Sequence, residues 1–245
     1  MITNYAEKME RDFYYWYQKC YEKSLEIKEQ QEYVFMFHQV CDRIDDCFDK
    51  RYSISFESFK IFIYEILKVF EVGETKDLFL DNGKRVVITF DDAFVEVYTK
   101  VFPFLTKIGI PFIVFQTVNY INSKGYLTDE MLRELVKSDL CTIGTHSVSH
   151  SRLRRLNVSD VKKEIELPRE ILHKYLGNHP TIMAYPYGSL YAIGKREKVI
   201  AAKCYEYAYS TICGGVSSNS DRYFIPRINI NEDNYLDWIE RINRG

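Results

Sequence analysis

Acidic and imidazole side chains follow two predicted strands. Asp91 and Asp92 close an apolar run that begins at Val86, and His146 and His150 follow a second such run. Two histidines and one carboxylate leave open coordination positions on a divalent ion, which lowers the pKa of a bound water enough to give hydroxide near neutral pH. The second carboxylate can then act as the base. These residues predict a metal-dependent hydrolase.

The spacing within each pair admits more than one interpretation. His146 and His150 lie four residues apart, which places both rings on one side if the segment after the strand forms a helical turn. Asp91 and Asp92 would point in different directions if strand geometry continues through them, so one could bind the ion while its neighbour reaches the water. The alternative roles are helix N-capping before Ala93 for the aspartates and an exposed or capping position for the histidines.

Strand-like runs and amphipathic helical segments alternate along the chain. The predicted strands are Tyr33–Phe37, Val86–Phe90, Pro111–Phe115, Cys141–Thr145, Thr181–Tyr185, Tyr207–Ile212 and Pro226–Ile230. Helices between them are predicted to begin at Ser55, Thr128, Ser159 and Lys195. This alternation favours parallel strands joined by helical crossovers, and about seven strands favour a barrel over an open sheet. We therefore predict an α/β fold, a distorted (β/α) barrel, with its chemistry at the carboxyl ends of the strands.

A further helix is predicted before the first strand, from about Thr3 to Gln31. One face of it carries a stripe formed by Phe13, Trp16, Tyr17, Cys20 and Tyr21. We expect this stripe to be buried, either against the main domain or in a homo-oligomer contact, because an exposed aromatic stripe of this size would be unusual on a monomer. The chain is accordingly divided into an N-terminal helical extension, residues 1–32, and a barrel domain, residues 33–245.

Composition and charge exclude several classes of partner. With 33 basic and 35 acidic residues the net charge is −2, so neither nucleic acid nor an anionic membrane is indicated. No apolar run approaches the roughly 18 residues of a membrane span, and the charged residues between Glu7 and Asp12 do not fit a secretory leader. Six cysteines without a CxxC pair favour reduced thiols over a disulfide framework. A cytoplasmic protein is predicted.

Three short stretches share a pattern of acidic, imidazole and aromatic residues with a known family. They are Thr89–Asp92, Thr145–His150 and Ala184–Gly188, and they are joined late in the chain by Pro226–Ile228. The first three resemble the successive motifs of the NodB-type polysaccharide deacetylases, carbohydrate esterase family four. The last is similar to a later strand in one branch of that family. The resemblance extends over roughly residues 33–230.

The resemblance implies a role for each of the central residues. Asp91 would be the general base, while Asp92, His146 and His150 would hold a divalent metal ion, with zinc as the expected ion. The backbone amide of Tyr187 would help to stabilise the oxyanion.

Two positions depart from the family pattern. Ala93 stands where the family usually has Gly, and Ala184 stands where many members carry an Arg. Another residue must then orient Asp91, and Arg227 is the candidate because a late Pro-Arg pair recurs in one branch; the alternative for Arg227 is an ordinary ion pair. In the same branch His38 would be the general acid that protonates the leaving amine, and the alternative is a structural histidine.

The resemblance implies a reaction and leaves alternatives open. A carbohydrate substrate, an amino sugar or a polysaccharide precursor, would lose its N-acetyl group by metal-assisted hydrolysis. A second interpretation is removal of another acyl group, such as formyl, from a nucleotide- or lipid-linked sugar. The third is a carbohydrate-binding protein that kept the barrel and lost activity, for which Ala93 and the missing Arg are the hints.

Overall fold

Strands and helices alternate in the structure, a computed structural model that describes residues 2–28, 31–81 and 83–244. The strands are β1 (Tyr33–Phe37), β2 (Gln39–Cys41), β3 (Ser53–Ser55), β4 (Glu71–Val72), β5 (Arg85–Phe90), β6 (Phe112–Gln116), β7 (Cys141–Thr145), β8 (Ile182–Ala184), β9 (Tyr207–Tyr209) and β10 (Ile228–Asn229). The helices are α1 (Ile2–Ser24), α2 (Phe56–Ile66), α3 (Phe102–Lys107), α4 (Asp129–Leu135), α5 (Val158–Leu176), α6 (Lys195–Ala201) and α7 (Tyr235–Arg244).

The main sheet is parallel throughout and contains every predicted strand. Its order is β10-β1-β5-β6-β7-β8-β9, with the short β4 paired to β5, while β2 and β3 form a small parallel pair of their own. The sheet curls far enough for Tyr209 on β9 to form a parallel bridge with Ile225, just before β10. The prediction of a distorted (β/α) barrel is confirmed.

The side chains of β5 show how the barrel positions polar groups. Ile88 and Phe90 pack outward into the large cluster shared with the helices, whereas Val87 packs inward with apolar residues of neighbouring strands. Because successive residues of a strand face opposite sides, Thr89 and Asp91 face inward like Val87. The inner face therefore changes from apolar to polar at the carboxyl end of the strand.

Side-chain caps fix where the crossover helices begin. The hydroxyls of Ser55 and Thr128 accept hydrogen bonds from the backbone N–H three residues later, at the predicted starts of α2 and α4. The α5 helix begins earlier than the predicted Ser159, because the Asn157 side chain accepts the equivalent bond. These helices return the chain to the amino edge of the sheet, so the carboxyl ends of the strands share one rim.

The N-terminal helix ends earlier than predicted, and its aromatic stripe is exposed. The α1 helix stops at Ser24, and Phe13 and Trp16 keep 56% and 61% of their surface exposed. Burial of the stripe against the barrel was therefore a wrong expectation. The helix is instead held by polar contacts, since the Arg241 guanidinium donates to the carbonyl of Glu22 at 2.6 Å. The predicted helix also crossed residues 29 and 30, which lie outside the described residues, and the division at residue 32 stays a prediction.

The cysteines correct a second expectation. Cys41 and Cys47 are joined in a disulfide, whereas Cys20, Cys141, Cys204 and Cys213 are free. Spacing along the chain does not show that the loop after β2 folds back to bring the first pair together. Because disulfides are typical of oxidising compartments, the cysteines no longer support a cytoplasmic location. Within the described ranges, no helix is both long enough and apolar enough to cross a bilayer.

Candidate active site

The two aspartates after β5 face the same side, because the strand ends between them. The amide of Asp91 still continues the sheet ladder by donating to the carbonyl of Phe37 at 2.9 Å. Asp92 and Ala93 then adopt φ values of +66° and +60°, in the left-handed region. This reversal brings both carboxylates towards His146, whose Nε2 lies 3.9 Å from Asp91 Oδ2 and 3.8 Å from Asp92 Oδ1. The expectation that the neighbours diverge is wrong for that reason.

The two histidines lie at the ends of one tight loop after β7. Ser147 and His150 have φ values of +66° and +57°, so the loop is not the helical turn that the spacing indicated. The amide of His150 donates to Ser147 Oγ at 2.9 Å, which closes the loop. The loop still places the rings of His146 and His150 together, with centroids 5.0 Å apart.

A carboxylate on α5 also holds this loop. Glu164 accepts hydrogen bonds from the amides of Val148 and Ser149 at 3.0 and 2.9 Å and from the Ser149 hydroxyl at 2.6 Å. Three donors from the segment between the histidines thus converge on one side chain. The sequence offered no signal for Glu164, which is one of many charged residues on an amphipathic helix.

Asp92, His146 and His150 form a group that could hold a metal ion. Each offers one ligand atom, and these atoms lie within 4.8 Å of one another. Asp92 Oδ1 is buried and has no hydrogen-bond partner in the described part of the chain, so a ligand atom is left unsatisfied by protein. His146 Nδ1 lies 2.8 Å from the carbonyl of Ala184, which directs Nε2 towards the other two residues. The residues present therefore fit a divalent cation.

A buried guanidinium holds the other aspartate. Arg227 donates to Asp91 Oδ1 and Oδ2 at 2.7 and 2.8 Å, and both side chains are almost completely buried. The Arg227 Nε donates to the carbonyl of Ser210 and one further N–H to the Thr89 hydroxyl, so the fork is fixed on three sides. The two carboxylate oxygens of Asp91 therefore bind Arg227 and do not cap the segment after Ala93. Asp92 Oδ1 does not cap it either, because this atom has no hydrogen-bond partner among the described residues.

The pKa values of the two carboxylates move in opposite directions. Burial alone would raise the pKa of Asp91, but the Arg227 guanidinium, together with His146 and His38, outweighs burial and holds that pKa well below its usual range. Burial raises the pKa of Asp92 to about 6, with His146 acting against that rise. Burial also lowers the pKa of His146 to about 4. Asp91 is therefore ionised and His146 neutral near neutral pH.

His38 directly follows β1, near Asp91. It follows Phe37, on the same face of the strand as the inward residues, and its ring lies 5.0 Å from the ring of Tyr52. Its Nδ1 is buried without a hydrogen-bond partner in the described ranges. Burial lowers the pKa of His38, and the Asp91 carboxylate acts to raise it.

The loop after β8 brings Tyr187 to the opposite side. Tyr187 has a φ of +61°, and its ring lies 4.9 Å from the ring of His150. Its amide donates to no protein acceptor among residues 2–28, 31–81 and 83–244. Gly188 is required next to it, because a Cβ there would lie 2.6 Å from the amide nitrogen of Thr211.

Two tyrosines that sequence analysis did not single out complete the rim. The ring of Tyr120 is stacked against His150 with centroids 6.3 Å apart, and Tyr126 lies 4.5 Å from Tyr120. Both follow β6 in a loop without regular spacing, so no pattern pointed to them. Together with Tyr187 they surround the histidine loop with aromatic surface.

Comparison with known proteins shows the family of this chain. The family model for polysaccharide deacetylases matches residues 81–207, more than half of the chain. YxkH of Bacillus subtilis (strain 168) is 26% identical over 151 residues, 61% of this chain and 52% of that protein. The poly-beta-1,6-N-acetyl-D-glucosamine N-deacetylase of Staphylococcus aureus (strain N315) is 26% identical over 171 residues, 64% of this chain and 58% of that protein. The chain thus matches between one half and three fifths of the length of these relatives.

Solved structures share the fold at low identity. IcaB from Ammonifex degensii superposes with a TM-score of 0.74 and 22% identity, covering 88% of this chain and 97% of that one. The Streptococcus pyogenes deacetylase PplD, solved in complex with acetate, gives a TM-score of 0.76 at 18% identity over 88% and 99% of the two chains. The match to the family model, rather than these likenesses of fold, assigns the chain. It belongs to the polysaccharide deacetylase family.

Proposed function

We propose that the protein is a metal-dependent carbohydrate N-deacetylase that removes acetyl groups from an amino sugar within a polysaccharide or its precursor. One observation carries this proposal: the buried Asp91–Arg227 pair lies directly beside three converging ligand residues, of which Asp92 has an unsatisfied oxygen. Membership of the family and the printed activity of the Staphylococcus aureus relative support the substrate class.

The ligand set suits zinc. Asp92, His146 and His150 would hold the ion, since two imidazoles and one carboxylate are typical of catalytic zinc sites that keep a position open. When bound, the ion would supply Lewis acidity and lower the pKa of water. Neutral His146, with its Nδ1 engaged by a carbonyl, presents the required lone pair on Nε2.

Asp91 is proposed as the general base. The Arg227 fork keeps its carboxylate ionised and fixes its orientation, so it can accept a proton from the attacking water. This contact also compensates for the Arg that is missing at Ala184, because Arg227 reaches Asp91 from the segment directly before β10. At the second departure, where the family usually has Gly, Ala93 itself adopts the left-handed conformation. The two features that suggested an inactive protein therefore have compensations.

Tyr187 is proposed to stabilise the oxyanion, and His38 is proposed to protonate the leaving amine. The amide of Tyr187 lies in the loop against His150 and has no protein acceptor in the described ranges, so it can donate to the oxyanion of the tetrahedral intermediate. His38 directly follows β1, close enough to Asp91 for their charges to interact, and can give its proton to the departing amine. Burial lowers the pKa of His38, and the Asp91 carboxylate acts against burial by favouring the protonated imidazole that this role requires.

The partners follow from the same chemistry. A carbohydrate is the proposed substrate, and a deformylase or other deacylase of a nucleotide- or lipid-linked sugar stays the second candidate. Homo-oligomer formation through α1 and a cytoplasmic location stay predictions. The disulfide Cys41–Cys47 argues against the cytoplasmic location.

An activity assay with an Asp91→Asn variant tests the proposal. Loss of the carboxylate removes the base but leaves Asp92, His146 and His150, so turnover should fall about 100- to 10,000-fold while zinc content is unchanged. Acetate and formate released from poly-β-1,6-N-acetylglucosamine and from nucleotide-linked sugars would be measured in parallel. Retained turnover in the variant excludes Asp91 as the base, and formate without acetate would favour the second candidate.

A further inference from the structure

One face of α1 carries exposed apolar side chains at the spacing of a helix pair. Met9, Phe13, Trp16 and Cys20 follow one another at intervals of four, three and four residues, which is the spacing of a coiled-coil seam. The side chains of Met9, Phe13 and Trp16 are 59%, 56% and 61% exposed, and Cys20 is exposed as well. We call these four residues the outer seam. Large apolar side chains that are exposed next to one another usually mark an interaction surface.

The opposite face of α1 is held by the barrel. Tyr14 and Tyr21 line a small cavity together with Leu190 from the loop after β8. The Gln18 side chain donates from Nε2 to the carbonyl of Thr211 at 2.7 Å. Because an α-helix has about 3.6 residues per turn, Tyr14, Gln18 and Tyr21 share one side of α1 and the outer seam lies on the other side. The barrel therefore holds the helix with its outer seam turned towards solvent.

Two charged side chains of opposite sign flank the outer seam on one side. Asp12 and Lys19 each precede a member of the seam by one residue, so both hold the same position of the heptad. Partners within the chain include Arg11 for Asp12 and Glu22 for Lys19, in surface ion pairs of a kind that contributes little stability. Both charges can therefore exchange these partners for charges on another molecule at small cost.

We propose that the outer seam packs antiparallel against the outer seam of a second copy of this chain, around a twofold axis. With Phe13 opposite Trp16 of the second copy, the same register sets Met9 opposite Cys20. The axis repeats each contact, so every member of the seam is covered by a member of the same seam. This inference goes beyond the proposed function and does not depend on it.

Charge complementarity favours this arrangement. In the antiparallel register Asp12 lies beside Lys19 of the second copy, and the axis repeats that contact to give two ion pairs. A parallel arrangement would set Asp12 beside Tyr17 and form neither pair. The helix Ile2–Ser24 contains four basic and four acidic residues, so it lacks the excess of lysine and arginine that is typical of a helix bound to an anionic membrane.

Sedimentation velocity over a concentration series would measure the dimer. An interface built from one helix of each chain is smaller than a standard interface, so we expect a Kd on the order of 10 μM. Trp16→Ala should raise this Kd at least about tenfold, because truncation of interface aromatic residues has the largest effects. Its thermal unfolding should match that of dissociated wild type, since Trp16 is exposed in the single chain. Tyr64→Ala, which removes an exposed tyrosine of α2, is the control and should leave the Kd unchanged.

A charge exchange would test the register. Lys19→Glu sets a second acidic side chain beside Asp12 in both symmetric contacts, so the dimer Kd should rise about tenfold. Adding Asp12→Lys should return the Kd to about its wild-type value. Residues seven apart on one helix do not contact each other, so this rescue requires a second copy. Equal Kd values for the single and double variants would contradict the register.

Crosslinking would test the orientation. With diamide as oxidant, which takes up two electrons and two protons as two thiols form a disulfide, Met9→Cys should give a covalent dimer through Cys20. Adding Cys20→Ser should abolish it. The wild type should not crosslink, because antiparallel packing separates the two Cys20 residues by roughly 16 Å along the helix axis.

Three results would overturn the proposed dimer. They are a monomer throughout the concentration series, a dimer whose Kd does not respond to Trp16→Ala, and a bond between the two Cys20 residues of the wild type. A protein that stays monomeric but binds phosphatidylcholine vesicles, and loses that binding in Trp16→Ala, would assign the outer seam to a lipid surface instead.

Discussion

At the scale of single residues, the pair Asp91–Arg227 determines the chemistry of the site. A carboxylate this deeply buried would lose its charge without a partner, because burial disfavours the ionised form. The guanidinium contributes two donors in a geometry that lysine could not reproduce. Arg227 therefore keeps the proposed base ionised, and a metal ion at the neighbouring site is not needed for that.

Removal of Arg227 tests that dependence. Arg227→Met leaves Asp91 as an uncompensated buried charge, so we expect the free energy of unfolding to fall by about 3–5 kcal/mol at neutral pH. Chemical denaturation would measure this loss. Adding Asp91→Asn to Arg227→Met should restore part of it, because the unpaired charge is then gone. A loss below about 1 kcal/mol in the single variant would contradict a buried, ionised pair.

At the scale of structural elements, α5 supports the histidine loop through Glu164. Glu164→Ala removes the acceptor for three donors between His146 and His150. We expect zinc affinity to fall about 10- to 100-fold, since residues that orient ligands typically have effects of this size. Zinc titration of the metal-free protein by calorimetry would measure it. Glu166→Ala, an exposed neighbour on the same helix, is the control, and equal affinities in the two variants would disprove the supporting role.

The disulfide belongs to the same scale, because it ties the end of β2 to the first half of the loop between β2 and β3. This loop also carries Tyr52, whose ring lies against His38. A thiol assay on denatured protein should find four reactive cysteines before reduction and six afterwards, in keeping with one bond between Cys41 and Cys47. Six reactive thiols in the unreduced protein would contradict the bond and restore the argument for a reducing compartment.

At the scale of the whole molecule, most of the barrel could be predicted from the sequence. Runs such as Val86–Phe90, apolar except for Thr89, arise because parallel strands are covered on both sides, and the helices between the strands start at recognisable caps. Active sites of such barrels lie at the carboxyl ends of the strands, and this rule predicted that Asp91, His146 and Tyr187 share one rim.

Other features depended on contacts that no local pattern records. The short strand β4 has only two residues and pairs because β5 offers it an edge. The left-handed backbone at Asp92, which turns that carboxylate into the site, is not a preference of aspartate alone. The early end of α1 and the exposure of its stripe were also not predictable from the sequence. Amphipathic spacing predicts a buried face wherever it occurs, but only the tertiary structure shows whether another element covers that face.

The most direct test of this account is the metal content of the purified protein, measured by elemental analysis beside a His150→Ala variant. The structure predicts about one equivalent of a divalent metal per chain in the wild type, because Asp92, His146 and His150 converge on one point, and its loss in the variant. Zinc added to the metal-free wild type should restore that equivalent. Failure of the wild type to bind any added divalent metal would contradict the proposal of a metal-dependent deacetylase.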